Sequence, residues 1–327
     1  MKLRRMLTIW ISLFLLSVTA GLCFGSVPLR FSELLAALTE ASQVNGIIFW
    51  QLRLPRVLAG LLAGVGLSVS GALLQSVTSN DLASPNIIGI NSGAGFAVIV
   101  LLAAFPGAGR ALPLAAFLGA FGAALVILAA ANRLGSSRTV ILLIGIAITT
   151  VLNAGISALS LLDEGILAQY NHFTVGSLKA VRMDDLLVPG VIIGVGFALA
   201  MTLSARLGIL CLGDSTAAAL GVRVRPLRLA ALACAAACAA AVVSFAGLLG
   251  FVGLVVPHIA KRLAGQQPVR MLPLSALVGA VVVIMADLVG RTLFAPSELP
   301  VGIVMSLIGA PYFLILLCRR KRHAANM

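Results

Sequence analysis

Long apolar runs recur along the chain, and the short breaks between them carry most of the charged residues. The runs at 114–131 and 274–286 are apolar on every face, whereas a membrane strand would be apolar only at every second position. A hydrocarbon core about 30 Å thick requires roughly 20 apolar residues for each helical crossing. The pattern therefore predicts an all-α, polytopic membrane protein with about ten transmembrane helices.

The individual spans follow from the positions of these runs and of the polar breaks between them. We predict a single transmembrane domain, 1–327, and expect its eighth span to be shorter than the others. The predicted spans are 7–27, 57–77, 86–105, 111–132, 139–162, 186–205, 227–247, 250–264, 272–292 and 300–318.

Composition and charge agree with this interpretation. Hydrophobic residues make up 61% of the chain and charged residues only 10%, which is too little polar surface for a water-exposed fold. Ten spans with a cytoplasmic N-terminus leave seven of the 23 Lys and Arg residues outside, as the positive-inside rule requires, and place both termini in the cytoplasm. This bias explains the net charge of +13 without a nucleic-acid partner. The seven outside are Arg30, Arg53, Arg56, Arg110, Lys179, Arg182 and Arg291.

Enzyme motifs are not found in the sequence. A Walker A loop needs a lysine after a glycine, and none of the four lysines has one before it. The three histidines form neither an H-E-x-x-H motif nor a triad-like grouping. Cys234 and Cys238 share a helix face, but no His or carboxylate is close enough in sequence to complete a metal site. We therefore expect a transport protein with no catalytic residues, no metal site and no cofactor of its own.

Asp287 is the only carboxylate well inside an apolar run. It would be a binding residue if the chain were an ion-coupled carrier that works alone, with the Pro and Gly breaks as further binding elements. It would be structural if it paired with Arg291, four residues further along the same helix. Because ion-coupled carriers usually keep ionisable residues deep in their spans, we expect the energy source to lie outside this chain.

The break at 207–226 is polar and basic. Asp214 and Ser215 are predicted to cap the start of a short helix, and Gly221 is predicted to end it. Such a rigid helical turn would suit docking against a soluble subunit, although the spacing alone fits an ordinary connecting loop equally well.

Five sequence blocks resemble the FecCD-type permeases of bacterial ABC importers for iron-siderophores, haem and vitamin B12. They occur in family order and extend over nearly the whole chain. Asp81 departs from the family pattern, because the N-P-L-A motif usually has proline there; this affects only the local loop geometry. The blocks are RLPRVLAGLLAGVGLSVSGALLQSVTSNDLASPNIIGINSGAG (53–95), LGDSTAAALGV (212–222), GFVGLVVPHIAKRL (250–263), ADLVGRT (286–292) and ELPVGIVMSLIGAP (298–311).

The resemblance implies the permease fold of type II ABC importers, placed in the bacterial cytoplasmic (inner) membrane. Two permease chains, as a homodimer or a heterodimer, would enclose a central pathway in the lipid bilayer. Two ATPase subunits, which bind ATP and Mg²⁺, would dock on the cytoplasmic side, and a substrate-binding protein would dock outside. The pathway would work by alternating access. A ferric siderophore is the first candidate for the cargo, and haem and cobalamin are the alternatives.

The resemblance also implies roles for individual residues. Arg53, Arg56 and Arg291 match arginines that dock the binding protein, although anchoring to lipid headgroups is the alternative for arginines at helix ends. From their position between the fourth and fifth spans, Ser136, Ser137 and Thr139 are candidates for a cytoplasmic gate. The residues that match the family's ATPase-coupling loop are Gly213, Asp214, Ser215, Thr216, Ala217, Ala218, Leu220, Gly221 and Arg223.

Overall fold

The structure is a computed structural model that describes residues 2–25, 44–86, 89–105, 107–134, 137–161 and 163–324. Within these ranges the chain forms helices and no strands. A π-helical turn at Ile48–Arg53 joins α2 to α3, and a 3₁₀ turn at Gly109–Ala111 precedes α5. The α-helices are α1 Lys2–Cys23, α2 Val44–Ile47, α3 Leu54–Thr78, α4 Ile90–Ala104, α5 Leu112–Leu134, α6 Arg138–Ser160, α7 Glu164–Val175, α8 Met183–Leu210, α9 Asp214–Ala219, α10 Val224–Ala246, α11 Val252–Ala264, α12 Pro268–Thr292 and α13 Val301–Ala324.

Each predicted span coincides with one helix, namely α1, α3 to α6, α8, and α10 to α13. In the described part of the chain, seven helical stretches are long and apolar enough to cross a membrane, and the apolar helices at Ile90–Ala104 and Val301–Leu316 are shorter. The eighth span is short as predicted, since α11 has 13 residues. The all-α membrane architecture is thus confirmed.

Two features of the helices differ from the sequence prediction. The second crossing begins at Val44, because α2 and the π-helical turn run directly into α3. No helix was predicted for α7, whose 12 residues are too few for a span and include polar side chains. The end of the first predicted span, 26–27, lies outside the described residues.

The core of the fold is α3, which packs mainly against α12, α10, α8 and α11. Close approach of these helices depends on glycine. A Cβ atom at Gly64 of α3 would overlap the Gly279 carbonyl of α12, and one at Gly71 would overlap the Gly253 carbonyl of α11. In a membrane, no hydrophobic force drives helices together, so close van der Waals packing must do so. Small residues at the interface allow the two backbones to approach closely enough for such packing. This packing holds the two ends of α3, and the groups around them, in place.

Candidate functional site

The helix α9 lies where the coupling loop was predicted, between the end of α8 and the start of α10. Gly221 ends it, as predicted, with a positive φ of 80°. The Val222 amide donates to the Ala217 carbonyl at 2.9 Å, and the Gly221 amide donates to the Ala218 carbonyl at 3.0 Å. These two bonds are those of a Schellman motif, so the loop leaves α9 in a defined direction.

The predicted capping of α9 by Asp214 and Ser215 is wrong. The N-cap residue is Gly213, with a φ of 117°, and no side chain accepts a hydrogen bond there. Asp214 is instead the first helical residue, and its carboxylate turns towards arginines on neighbouring helices. Arg228 offers the carboxylate an ionised donor that reaches both of its oxygens, which favours this arrangement over capping.

Asp214 forms ion pairs with two arginines, which together we name the Asp214 cluster: Asp214, Arg138 and Arg228. Arg228 of α10 donates through Nη2 to both carboxylate oxygens, at 2.8 and 3.0 Å. Arg138, the first residue of α6, donates through Nη2 to Oδ1 at 3.4 Å. One exposed carboxylate therefore connects α9 to both α10 and α6.

The rest of the predicted coupling residues form a mostly solvent-exposed surface. Ala217 is fully buried and attaches α9 to the bundle, whereas Gly213 is half-buried. The exposed residues of this set are Asp214, Ser215, Thr216, Ala218, Leu220, Gly221 and Arg223. Contact of this surface with an ATPase stays a prediction.

The predicted gate residues lie at the start of α6. Ser137 is the N-cap of that helix, because its Oγ accepts a hydrogen bond from the Val140 amide at 3.3 Å. Thr139 is exposed in the first turn, and Ser136 lies outside the described residues. Arg138 stands between Ser137 and Thr139, so the candidate gate and the Asp214 cluster share one segment of chain.

A second cluster lies at the start of α3, a helix of 25 residues. We name it the Arg56 cluster: Arg53, Arg56, Asp287, Arg291 and Glu298. Arg56 donates to both oxygens of Asp287 at 2.9 to 3.0 Å and to Glu298 Oε2 at 3.0 Å. The expected pair of Asp287 with Arg291 is present at 3.7 Å, but Arg56 is the closer partner.

The two other arginines of the Arg56 cluster hold the end of α1. Arg53 Nη1 donates to the Leu22 and Cys23 carbonyls at 2.5 and 2.6 Å, and Arg291 Nη2 donates to the Gly21 carbonyl at 2.5 Å. The last carbonyls of a helix lack internal partners and carry a partial negative charge, so two guanidinium groups satisfy and stabilise this terminus.

The structure thus brings together all three arginines that were predicted to dock a binding protein. They line one cavity of about 210 Å³ with Lys179 and Glu298. Arg53 and Arg291 are buried, while the Lys179 side chain is 68% exposed. Docking stays a prediction, to which the structure adds two internal roles: holding α1 and neutralising Asp287.

Sequence reasoning gave no role to several of these residues, among them Arg138 and Arg228 of the Asp214 cluster. Glu298 lies in a recognised motif but had no assigned role, and Lys179 was assigned only to the outside. Asp81 was expected to affect loop geometry alone, yet its carboxylate accepts a 2.6 Å hydrogen bond from Lys261 Nζ at the end of α11. In the described part of the chain, no group of three or more His, Cys, Asp and Glu side chains is placed to hold a metal ion.

Comparison with known proteins gives the family. The model of the FecCD transport family matches residues 13–319. The chain is 37% identical over 273 residues to the Fe(3+)-citrate import system permease protein YfmE of Bacillus subtilis (strain 168), covering 83% of this chain and 81% of that protein. It is 34% identical over 334 residues to the hemin transport system permease protein HmuU of Yersinia pestis, covering 99% and 98%.

A solved structure agrees with these relatives. It is an inward-facing conformation of an ABC transporter assigned to the metal-chelate type, which superposes with a TM-score of 0.86 at 29% identity. The match covers 97% of this chain and 99% of that one. The resemblance inferred from the five sequence blocks is confirmed, and this multi-pass membrane protein belongs to the FecCD transport family.

Proposed function

We propose that this chain is the membrane permease of an ATP-driven importer that moves an iron chelate, with a ferric siderophore as the first candidate, into the cytoplasm by alternating access. The observation that carries the proposal is the match to HmuU over 99% of this chain and to YfmE over 83% of it; the names of these relatives specify hemin and Fe(3+)-citrate. The match to HmuU extends over both the Asp214 cluster and the Arg56 cluster. Haem and cobalamin are the alternative cargoes.

In this proposal the Asp214 cluster lies on the cytoplasmic side and the Arg56 cluster lies outside. The excess of arginine around α9 supports this orientation, because basic residues are retained in the cytoplasm. The exposed surface of α9 would contact an ATPase, two of which supply the energy. Its definite shape supports this role, since a Schellman motif and an ion pair hold the short helix against the bundle.

The pathway would lie between two such chains and would include the exposed face of α6. Thr150, Asn153 and Ser157 lie on that face and are exposed in the isolated chain. Polar side chains that face lipid are unfavourable, whereas they are acceptable next to a water-filled cavity or a partner helix. These three polar but uncharged side chains would suit the passage of a bulky hydrophilic chelate.

At the outer end, Lys179 is the exposed candidate for contact with a carboxylate of a binding protein, next to the predicted docking residues Arg53, Arg56 and Arg291, which are largely buried. Lys179 is exposed and lines the same cavity as Arg56. Surface charges of this kind mainly speed the encounter and set its orientation, because exposed ion pairs add little affinity.

An ion-coupled carrier that acts alone is the competing hypothesis, and Asp287 argues against it. Both oxygens of this carboxylate accept hydrogen bonds from Arg56. A carboxylate that binds and releases a coupling ion must be able to leave its partner, and here a bidentate pair holds it.

Reconstitution tests the proposal. The chain is co-expressed with its candidate ATPase and binding protein, placed in liposomes, and assayed for uptake of ferric citrate, a ferric hydroxamate, haem and cobalamin. We expect uptake of one class of cargo that requires ATP and all components. Uptake that an ion gradient drives without an ATPase would overturn the proposal.

Charge reversal separates the two hypotheses further. Asp214→Arg and Arg223→Glu should each abolish ATP-dependent uptake, because both change the surface that would meet the ATPase. Asp184→Lys is the matched control, since Asp184 is an exposed carboxylate at the other end of α8. A lone carrier would tolerate Arg223→Glu and Asp184→Lys, so Arg223→Glu is the variant that separates the two hypotheses.

A further inference from the structure

Asp214 holds two helices that differ greatly in how firmly they are packed. The membrane-crossing stretch of α10, which carries Arg228, is 67% buried, whereas that of α6, which starts at Arg138, is only 17% buried. The side chains differ in the same sense, because Arg228 is 2% exposed and Arg138 is 33% exposed. Within this chain, α6 therefore has fewer packing contacts than α10, and a movement of α9 would break fewer of them by shifting α6.

The link between α9 and α6 is made by side chains. The backbone of α9 packs mainly against α8 and α10. Arg138 reaches α9 from the first position of α6, directly after the N-cap residue Ser137. A change in the position of Asp214 would act on the same turn that contains Thr139.

We propose that the Arg138–Asp214 ion pair transmits movement of α9 to the start of α6, which makes Arg138 a positioning residue of the transport cycle. The inference rests on the proposed function, because it takes α9 as the surface that an ATPase moves. Arg228 holds the Asp214 carboxylate to the packed core, and the ion pair of Arg138 with Asp214 is the contact that breaks. The pair breaks and forms readily because both side chains are accessible to water.

The test measures the accessibility of Thr139 during the ATPase cycle. The five cysteines of the described chain, Cys23, Cys211, Cys234, Cys238 and Cys318, are replaced by alanine, and Thr139→Cys is introduced. The permease is purified in complex with its ATPase. The labelling rate of the new thiol with a charged maleimide is then compared without nucleotide and with ATP plus vanadate.

We expect nucleotide to change the labelling rate about twofold to fivefold in this parent, the range that corresponds to one exposed ion pair. Arg138→Gln should remove this response, and Arg138→Lys, which keeps the charge, should restore at least part of it. ATP hydrolysis should stay close to the parent value in both variants, because the ion pair of Arg228 with Asp214 still holds α9 in place. Loss of the response together with loss of ATP hydrolysis would overturn the inference.

Arg133→Gln is the matched control, since it removes a positive charge from an exposed arginine at the end of α5. It should leave the nucleotide response unchanged. A full response in Arg138→Gln, or no response in a parent that binds its ATPase, overturns the inference while the proposed function stands. If the ATPase does not co-purify with the parent, the proposed function fails and the inference fails with it.

Discussion

The Arg56 cluster and the Asp214 cluster use the same residue types but differ in burial. Arg56 and Asp287 have side chains that are 11% and 5% exposed, whereas those of Arg138 and Asp214 are 33% and 47% exposed. Water can replace either partner of an exposed pair, but it cannot easily replace a partner in a buried one. Burial thus makes the Arg56 cluster a fixed connection of α3, α12 and α1. In the Asp214 cluster, where Arg228 is buried, exposure leaves only the Arg138–Asp214 pair able to open.

The largest expected effect is on stability, at the Arg56 cluster. Asp287→Asn should lower the free energy of unfolding by about 3–5 kcal/mol, because it leaves buried arginine charge without its carboxylate. Unfolding in mixtures of mild detergent and SDS measures this change. Asp184→Asn, which removes an exposed carboxylate, should stay within about 0.5 kcal/mol of the parent. Equal effects of the two substitutions would show that the buried ion pairs of the Arg56 cluster do not stabilise the fold.

Asp214→Asn is expected to have an intermediate effect. Arg228 is buried and would lose two charge-assisted hydrogen bonds, but water can reach the exposed side of the site. We expect the free energy of unfolding to fall by about 1–2 kcal/mol in the same assay. A loss as large as that of Asp287→Asn would contradict the distinction between the two clusters.

Arg138→Gln should have the smallest effect on stability. Its pair with Asp214 is long, at 3.4 Å, and exposed. We expect the free energy of unfolding to fall by less than about 1 kcal/mol. The difference from the parent should shrink further in high salt, which screens surface charges. Unfolding measured at low and high ionic strength checks this. A large, salt-independent loss would mean that the pair is structural.

Cys211 reports on the charges beside the Asp214 cluster. Its sulfur lies 3.8 Å from the Ser76 carbonyl oxygen. Partial burial and the charge of Asp81 raise the pKa of the thiol, while Lys261 and Arg138 lower that pKa; the net pKa lies above its usual value. Removing the positive charge in Arg138→Gln should raise the pKa of Cys211 further. Because the thiolate is the reactive form, alkylation at a given pH should become slower and its midpoint should move to higher pH.

Maleimide labelling across neutral and alkaline pH, with the other cysteines replaced by alanine, measures this shift. Arg133→Gln serves again as the control, since Arg133 has no part in the charge environment of Cys211. Unchanged labelling in Arg138→Gln would place the Arg138 charge further from Cys211 than the structure does.

Much of the fold could be predicted from the sequence, because a run of about 20 apolar residues has few stable forms other than a helical crossing in a bilayer. Ten spans were located in this way. The helix α7 was missed because its length and polarity carry no such signal. The cap of α9 was predicted wrongly, because local rules favour the backbone amides over Arg138 and Arg228, which are distant in the sequence.

The candidate site was predictable only in part. The family motifs identified the coupling loop and the three outer arginines, and spacing suggested the pair of Asp287 with Arg291. The closer pair, Arg56 with Asp287, joins residues 231 positions apart and has no local signal. The same is true of Asp81 with Lys261, which are 180 positions apart.

By itself, the sequence determined that this protein crosses the membrane many times, and its motifs placed it in a family of permeases. Both properties follow from local apolar runs and from sequence blocks that resemble the family's motifs, all of which can be read along the chain. The tertiary structure decided which charges are buried and which are free to exchange partners. That difference depends on how closely α3, α10 and α12 pack and how loosely α6 is held, and such packing arises only when distant helices meet.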